Sequence, residues 1–339
     1  MIGKTMRQIE TIIEPGDCLE VLNGYPDDFF NLIVTSPPYA DSRSKTYGGI
    51  KPDEYVEWFL PRAKEFLRVL KPDGTFILNI KEKAVAGERH TYVLELILAL
   101  RQQGWLWTEE FVWHKKNCFP GKWPNRFRDA WERCLQFNKT ARFKMYQEAV
   151  MVPMGDWAKT RLKKLSDTDK TRDESKVNSG FGKNVSNWLD REMAYPTNVL
   201  HFATECYNKN HSAVFPRALP AWFIKLFTKE HDWVLDPFSG SGTTSEVAQQ
   251  AKRNSVGIEL LTEYCDLVRE RTKNYQLRLC EQQDEYRTDN PGEDSSVCRT
   301  AYSAVSSKSH RKIEKTKTGR CPKTQESLSV QGQACRHRR

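Results

Sequence analysis

Two short stretches of this sequence hold residue types that could do chemistry, and each follows an apolar run. The first is "TSPPYADSR", residues 35–43, immediately after "NLIV". Two consecutive prolines cannot continue a sheet, because neither has a backbone N–H to donate. They can instead fix the directions of the carbonyls around them. A turn in which Pro37 and Pro38 are rigid, and which offers the Ser36 hydroxyl and the Pro37 carbonyl as acceptors, can bind both hydrogens of a primary amino group. An amine on a nucleobase needs such help, since its lone pair is delocalised into the ring until the nitrogen is drawn toward sp³ geometry. Tyr39 adds a ring on which a base can stack, a contact worth roughly 1–3 kcal/mol. Taken alone the tetrapeptide also reads as a plain turn or a polyproline ligand, and its place at the end of an apolar strand favours the acceptor reading.

The second stretch is "VLDPFSGSGTT". A strand carrying Val234 and Leu235 ends at Asp236, Pro237 and Phe238 follow, and Gly240 and Gly242 precede a helix that starts near Thr243. Glycines there let the backbone approach a ligand, and a helix N-terminus offers free N–H groups. Glu259 ends the next strand, "GIEL", about twenty residues on, the separation at which doubly wound folds set a carboxylate against a ribose diol. Singly, these features also fit a ligand-free turn and a solvated carboxylate. Together they point to a nucleoside. "GSGTTS" lacks the third glycine of the dinucleotide fingerprint and no P-loop lysine follows, which points away from NAD and ATP.

The elements that must position these turns alternate between strand-like and helix-like patterns, which argues for a mostly parallel sheet with helices on both faces. Strands are expected in "QIETIIEPGD", "NLIV", "TFILNI", "WLWTEEFVWHK", near Leu135–Phe137, in "WVLD" and in "SVGIEL". Helices are expected in "CLEVLNGYPDD", in "DEYVEWFLPRAKEFLRVL" with Pro61 as a kink or restart, in "TYVLELILALRQQG", "FPRALPAWFIKLFT" and "SEVAQQAKR", and in a closing "TEYCDLVRERTKNYQLRL". "KPDG" reads as a turn. Residues 141–200 lose periodicity and read as a loop-rich insertion, and the Ser/Thr/Gln-rich stretch 281–339 reads as a disordered tail. The 339 residues carry a formal net charge of +9, which suits a soluble protein that meets a polyanion. The nine cysteines form no C-x-x-C pair and no compact Cys/His cluster, so no metal site is indicated and reduced thiols in a cytoplasm are expected. Neither a signal peptide nor a membrane span is expected.

With "SPPY" before the irregular region and "DPFSGSGTT" after it, the chain resembles the permuted (beta-class) S-adenosylmethionine-dependent amino DNA methyltransferases, over roughly residues 9 to 275. The resemblance implies a circularly permuted, doubly wound, seven-stranded Rossmann-like sheet. Residues 9–140 would be its catalytic half, 141–200 a target-recognition region and 201–280 its cofactor-binding half, with the two turns on adjacent strand ends. It further implies S-adenosylmethionine as cofactor, with Asp17 near its adenine ring, Asp236, Pro237, Phe238, Gly240, Gly242 and Thr243 forming its turn, Glu259 on its ribose, and "HSAVFPRALP" over its methionine part. For Asp17 a helix N-cap is the simpler role. Ser36, Pro37, Pro38 and Tyr39 would be catalytic. Among these enzymes "SPPY" resembles the cytosine-N4 type and "DPPY" the adenine-N6 type, so N4-methylcytosine is expected, with adenine N6 as the alternative.

The implied partner is double-stranded DNA, from which the target base must be flipped out, at a cost of a few kcal/mol. A companion restriction endonuclease would act on the same site without forming a stable complex. Basic and aromatic residues interleave in "HKKNCFPGKWPNRFR", where Lys115, Lys116, Lys122 and Arg126 suit phosphate contacts, and Lys163 and Lys164 lie in the expected recognition region. A solvated basic loop is the plainer reading of both. A catalytically silent nucleic-acid binder and an RNA methyltransferase remain rivals of a different kind; methyl transfer to DNA separates them.

Overall fold

Eight segments become one sheet: β1 (Thr11–Pro15), β2 (Phe30–Thr35), β3 (Leu70–Ile80), β4 (Leu106–Lys115), β5 (Trp131–Asn138), β6 (Val199–Phe202), β7 (Trp233–Asp236) and β8 (Asn254–Glu259). The computed structural model describes residues 8–42, 47–118, 121, 125–156, 160, 163, 191–205 and 215–273. The expected tail and most of the expected recognition region lie outside them. The strands run in the order β1-β8-β7-β2-β3-β5-β4-β6. All neighbours are parallel except β5, which is antiparallel to both β3 and β4. β2 and β8 are buried at every position, as strands covered on both faces must be.

Alternation along β2 divides the core. Ile33 points into a cluster with Phe59, Phe66, Phe76, Trp105 and Phe137, whereas Leu32 and Val34 point into a second cluster with Phe223, Ile224 and Phe227. The first is covered by α2 (Tyr55–Val69), which buries Tyr55, Phe59, Ala63, Phe66 and Val69 along one stripe, and by α3 (Tyr92–Gln102). The short α1 (Cys18–Leu22) lies beside α2. The second cluster is covered by α4 (Ala218–Phe227), and α5 (Thr243–Gln250) packs against it. A further helix, α6, is described over 262–273.

Four details differ from the sequence expectations. α2 runs unbroken through Pro61, which is exposed together with Glu57, so the carbonyl that loses its helical partner sits on the solvent face. "KPDG" is taken into β3 as an irregularity in which pairing jumps from Phe30↔Leu70 to Leu32↔Thr75. Gly74 permits this, because a Cβ there would stand 2.9 Å from the Asn31 carbonyl oxygen. The sheet has eight strands where seven were expected: β6 adds parallel to β4 at the edge, across the end of the region read as loop. The start of that region also joins the core, since Phe143 and Met145 pack against the second cluster, Val150 is buried in it, and the Tyr146 N–H donates to the Leu226 carbonyl at 2.7 Å.

Candidate active site

Because β5 runs against its neighbours, its first residues meet the last residues of β3 and β4, on the edge where β2, β7 and β8 also end. Carboxyl ends of parallel strands are where open α/β sheets bind ligands. A cavity of about 680 Å³ lies there and reaches from the glycine turn to the proline turn. The two turns follow adjacent strands, β7 and β2, as the resemblance implies.

On the glycine side, Gly240 has φ 52° and its N–H donates to Glu259 Oε2 at 2.8 Å. The Leu261 N–H and the Tyr47 hydroxyl donate to Oε1 at 3.0 and 3.2 Å. Glu259 is therefore fixed, not solvated, and it lines the cavity with Pro237, Phe238, Gly240 and Thr243. The Phe238 ring centroid lies 5.8 Å from that of Trp58, over which Arg62 sits at 4.4 Å. Arg62 also donates to Asp17 Oδ2 at 2.5 Å, while Asp17 Oδ1 accepts from the Leu19 N–H at 2.8 Å as the N-cap of α1. Asp17 is thus both a helix cap and part of the cavity wall. Cys18 beside it is pushed up to about 12 by burial and by Asp17, so it lines the wall as a neutral thiol. Ser239 Oγ and Thr243 Oγ1 are buried beside the cavity without a hydrogen-bond partner among the described residues.

Two residues expected to bind the cofactor belong to the turn but do not line the cavity. Asp236 is 1% exposed and does not reach the cavity lining. Its carboxyl accepts from Thr35 Oγ1 and Thr244 Oγ1, both at 2.6 Å, and from the Phe238 N–H at 3.2 Å, which ties the glycine turn and α5 to the end of β2. Burial pushes its pKa up to about 6 against those three donors. Gly242 (φ 78°) faces α6, where a Cβ would run into the Val268 side chain. Both residues build the turn from behind.

On the proline side, Ser36, Pro37, Pro38 and Tyr39 all line the cavity. Tyr55 donates its hydroxyl to the Pro38 carbonyl at 3.0 Å and so anchors the turn on α2. Ser36 Oγ donates to the Tyr39 hydroxyl at 3.1 Å, and that hydroxyl donates to Glu132 Oε2 at 2.7 Å. Asn79 Nδ2 donates to the same Oε2 at 3.0 Å, and Lys115 Nζ to Oε1 at 2.6 Å. Burial and the adjacent Glu132 charge hold the Tyr39 phenol well above its ordinary range, so it stays a proton donor. Glu132, Asn79, Trp58 and Arg62 were not found by sequence reading. The one available signal is "WERCLQF", a carboxylate one residue into an expected strand.

The expected phosphate contacts scatter. Lys115 is a correction: β4 carries it into the cavity floor, where it is 16% exposed and paired with Glu132, so its charge is not offered to a backbone. Lys116 and Lys163 are exposed and Arg126 is half-buried. Lys122, Lys164 and the first part of "HSAVFPRALP" lie outside the described residues, although Phe215 lines the cavity. Among the described residues there is no group of three or more His, Cys, Asp and Glu able to hold a metal, and no helix is long and apolar enough to cross a membrane.

A mostly parallel α/β sheet with a glycine turn and a proline turn facing one cavity from adjacent strand ends has the layout of a methyltransferase. The sequence model of the DNA methylase family N6_N4_Mtase matches residues 30–270, and the chain belongs to that family. It is 34% identical over 271 residues to the Type II methyltransferase M.PvuII of Proteus hauseri, covering 74% of this chain and 80% of that one. It is 27% identical over 304 residues to M.SmaI of Serratia marcescens, covering 80% and 92%. The solved cytosine-N4-specific PvuII DNA methyltransferase superposes with a TM-score of 0.59 at 28% identity, covering 77% of this chain and 86% of that structure. A DNA modification methylase of Thermus thermophilus, TTHA0409, described as putative and solved in complex with S-adenosyl-L-methionine, shares the fold at a TM-score of 0.51 and 22% identity, covering 78% and 93%.

Proposed function

We propose that this DNA methyltransferase modifies the exocyclic N4 of a cytosine flipped out of duplex DNA, as the modification enzyme of a Type II restriction–modification system in a prokaryotic cytoplasm. The observation that carries the reading is one cavity lined by both turns, with Ser36 donating its own hydrogen to Tyr39 and leaving its oxygen lone pairs for an incoming amine. Bound S-adenosylmethionine supplies an electrophilic methyl group. The residues present fit it: Phe238 and Trp58 give flat walls for an adenine, Asp17 and Arg62 border them, and Glu259 accepts from ribose hydroxyls. The unpartnered hydroxyls of Ser239 and Thr243 offer it hydrogen bonds.

In this reading Ser36 and the Pro37 carbonyl take the two amino hydrogens and localise the nitrogen lone pair. Tyr39 presents its ring to the base while its hydroxyl is pinned by Glu132. Because a stacked base cannot reach such a cavity, it is extruded, with Lys116 and Arg126 among the groups available to phosphates. Serine at the head of the proline turn and the similarity to a cytosine-N4-specific enzyme favour cytosine over adenine. A companion endonuclease would share the recognition site without binding this chain. The test is to incubate the protein with a deuterated-methyl donor and duplex DNA, digest to nucleosides and analyse by mass spectrometry. Labelled N4-methylcytosine is expected; labelled N6-methyladenine would reassign the base, and no labelled nucleoside would overturn the reading.

A further inference from the structure

Methyl transfer to an amine leaves a surplus proton on nitrogen, and nothing in the proline turn itself can keep it. The cavity floor holds an acceptor. Glu132, 7% exposed, stands at the start of β5 with Trp113 of β4 opposite it and Lys115 two residues further along β4. Three donors from three elements converge on its carboxylate: Lys115 on Oε1, and Asn79 of β3 and Tyr39 of the proline turn on Oε2. Burying a carboxylate and an ammonium side by side costs more than an apolar pair would, so a merely structural role is a poor account of them. The charged groups also sit where the cavity, not the hydrophobic core, would be left without them.

We propose that Glu132 is the terminal proton acceptor for the reaction, reached through Tyr39 and Ser36; the proposal rests on the amine-methylation reading above. The donors are already ordered in one direction, Ser36 Oγ to the Tyr39 hydroxyl and the Tyr39 hydroxyl to Glu132. When the N–C bond has formed and the C–S bond has broken with its electron pair on sulfur, the amino nitrogen carries a positive charge. Its N–H bond then breaks toward Ser36 Oγ, while the Ser36 hydrogen moves to Tyr39 and the Tyr39 hydrogen to Glu132. The amine returns to neutrality and Glu132 becomes a neutral acid. Both hydroxyls end as they began. That proton then passes to solvent, which restores the ion pair with Lys115. Cys134 and Tyr92, which feel the Glu132 charge, are both held protonated by burial and do not compete for the proton. Glu132 touches no substrate in this scheme and is a positioning residue, acting through Ser36.

The experiment is single-turnover methyl transfer with full-length protein, tritiated donor and duplex DNA, alongside equilibrium binding of donor and DNA and a thermal melt. Glu132→Gln keeps an acceptor for the Tyr39 hydroxyl but cannot take its proton. It should slow the transfer step on the order of 100-fold with both affinities within about twofold, and Glu132→Asp should recover part of the rate. Tyr39→Phe cuts the chain and leaves the Lys115–Glu132 pair intact, so it remains informative if Glu132→Gln does not fold; a loss of similar size is expected. A near-wild-type transfer rate in a folded Glu132→Gln or in Tyr39→Phe would overturn the relay while leaving methylation standing. A wild-type protein that transfers no methyl group to DNA would instead sink the reading on which the relay rests.

Discussion

Ser36 is the residue through which the proposed chemistry passes, and it makes one donated hydrogen bond, to Tyr39. Replacing it with alanine removes an acceptor from the amine and leaves Gly240 and Glu259 paired as before. Ser36→Ala should therefore lose methyl transfer on the order of 100-fold while binding the cofactor normally, read by tritiated-methyl transfer and calorimetric titration. Asp236 gives a prediction of another kind. Its pKa is raised from 3.8 to about 6 by burial, so the fold favours the neutral acid. That contribution is fully present below pH 3.8 and is lost as pH rises through about 6, a change of roughly 3 kcal/mol at most. Asp236→Asn, which is neutral throughout, should lack this component. Urea unfolding of both proteins at pH 4 and pH 7 should show wild type losing stability relative to the variant as pH rises, and an unchanged difference would mean that Asp236 is ionised in the fold at both values.

At the scale of elements, the glycine turn works because α5 and α6 leave no room behind it. A Cβ on Gly242 would stand 2.6 and 2.9 Å from Val268 Cγ2 and Cβ and closer still to Cγ1, and the residue has φ 78°. Rotation of one methyl cannot relieve all three contacts. Gly242→Ala should cost about 1–3 kcal/mol from overpacking alone and lower the melting temperature by several degrees, with Val268→Ala in the same chain recovering part of the loss. Gly242→Ala with an unaltered melt would place α6 elsewhere. The same packing explains what was legible in the sequence. Ser36 to Tyr39, Gly240 and Glu259 could be found because each motif is contiguous or set by one strand–turn–helix spacing. Glu132, Asn79, Trp58 and Arg62 belong to three elements that meet only after the sheet closes, and no local pattern joins them. Lys115 misled because "HKK" reads as a run of surface charge, whereas strand alternation sends Lys115 inward beside Trp113 and leaves Lys116 exposed. β6 is not legible in the sequence because four residues with only Leu200 buried carry too little periodicity.

For the molecule as a whole, every described residue lining the cavity lies between Gly16 and Leu260, and the sheet that carries them ends at Glu259. The family match ends at residue 270, and the described part of α6 at 273. The described cavity lining and the sheet thus lie upstream of residues 281–339 in the chain. Deleting that segment should leave the melting transition and the turnover on cognate DNA within about twofold of full length. The segment holds more Lys and Arg than Asp and Glu. Its removal should consequently weaken nonspecific DNA binding at low salt and flatten the dependence of affinity on salt concentration, since fewer phosphates are neutralised. Melting, turnover and salt-titrated DNA binding of the two chains measured side by side separate these effects. A collapsed melting transition would put part of the segment in the folded core, and lost turnover with a normal melt would give it a specific part in engaging the DNA target.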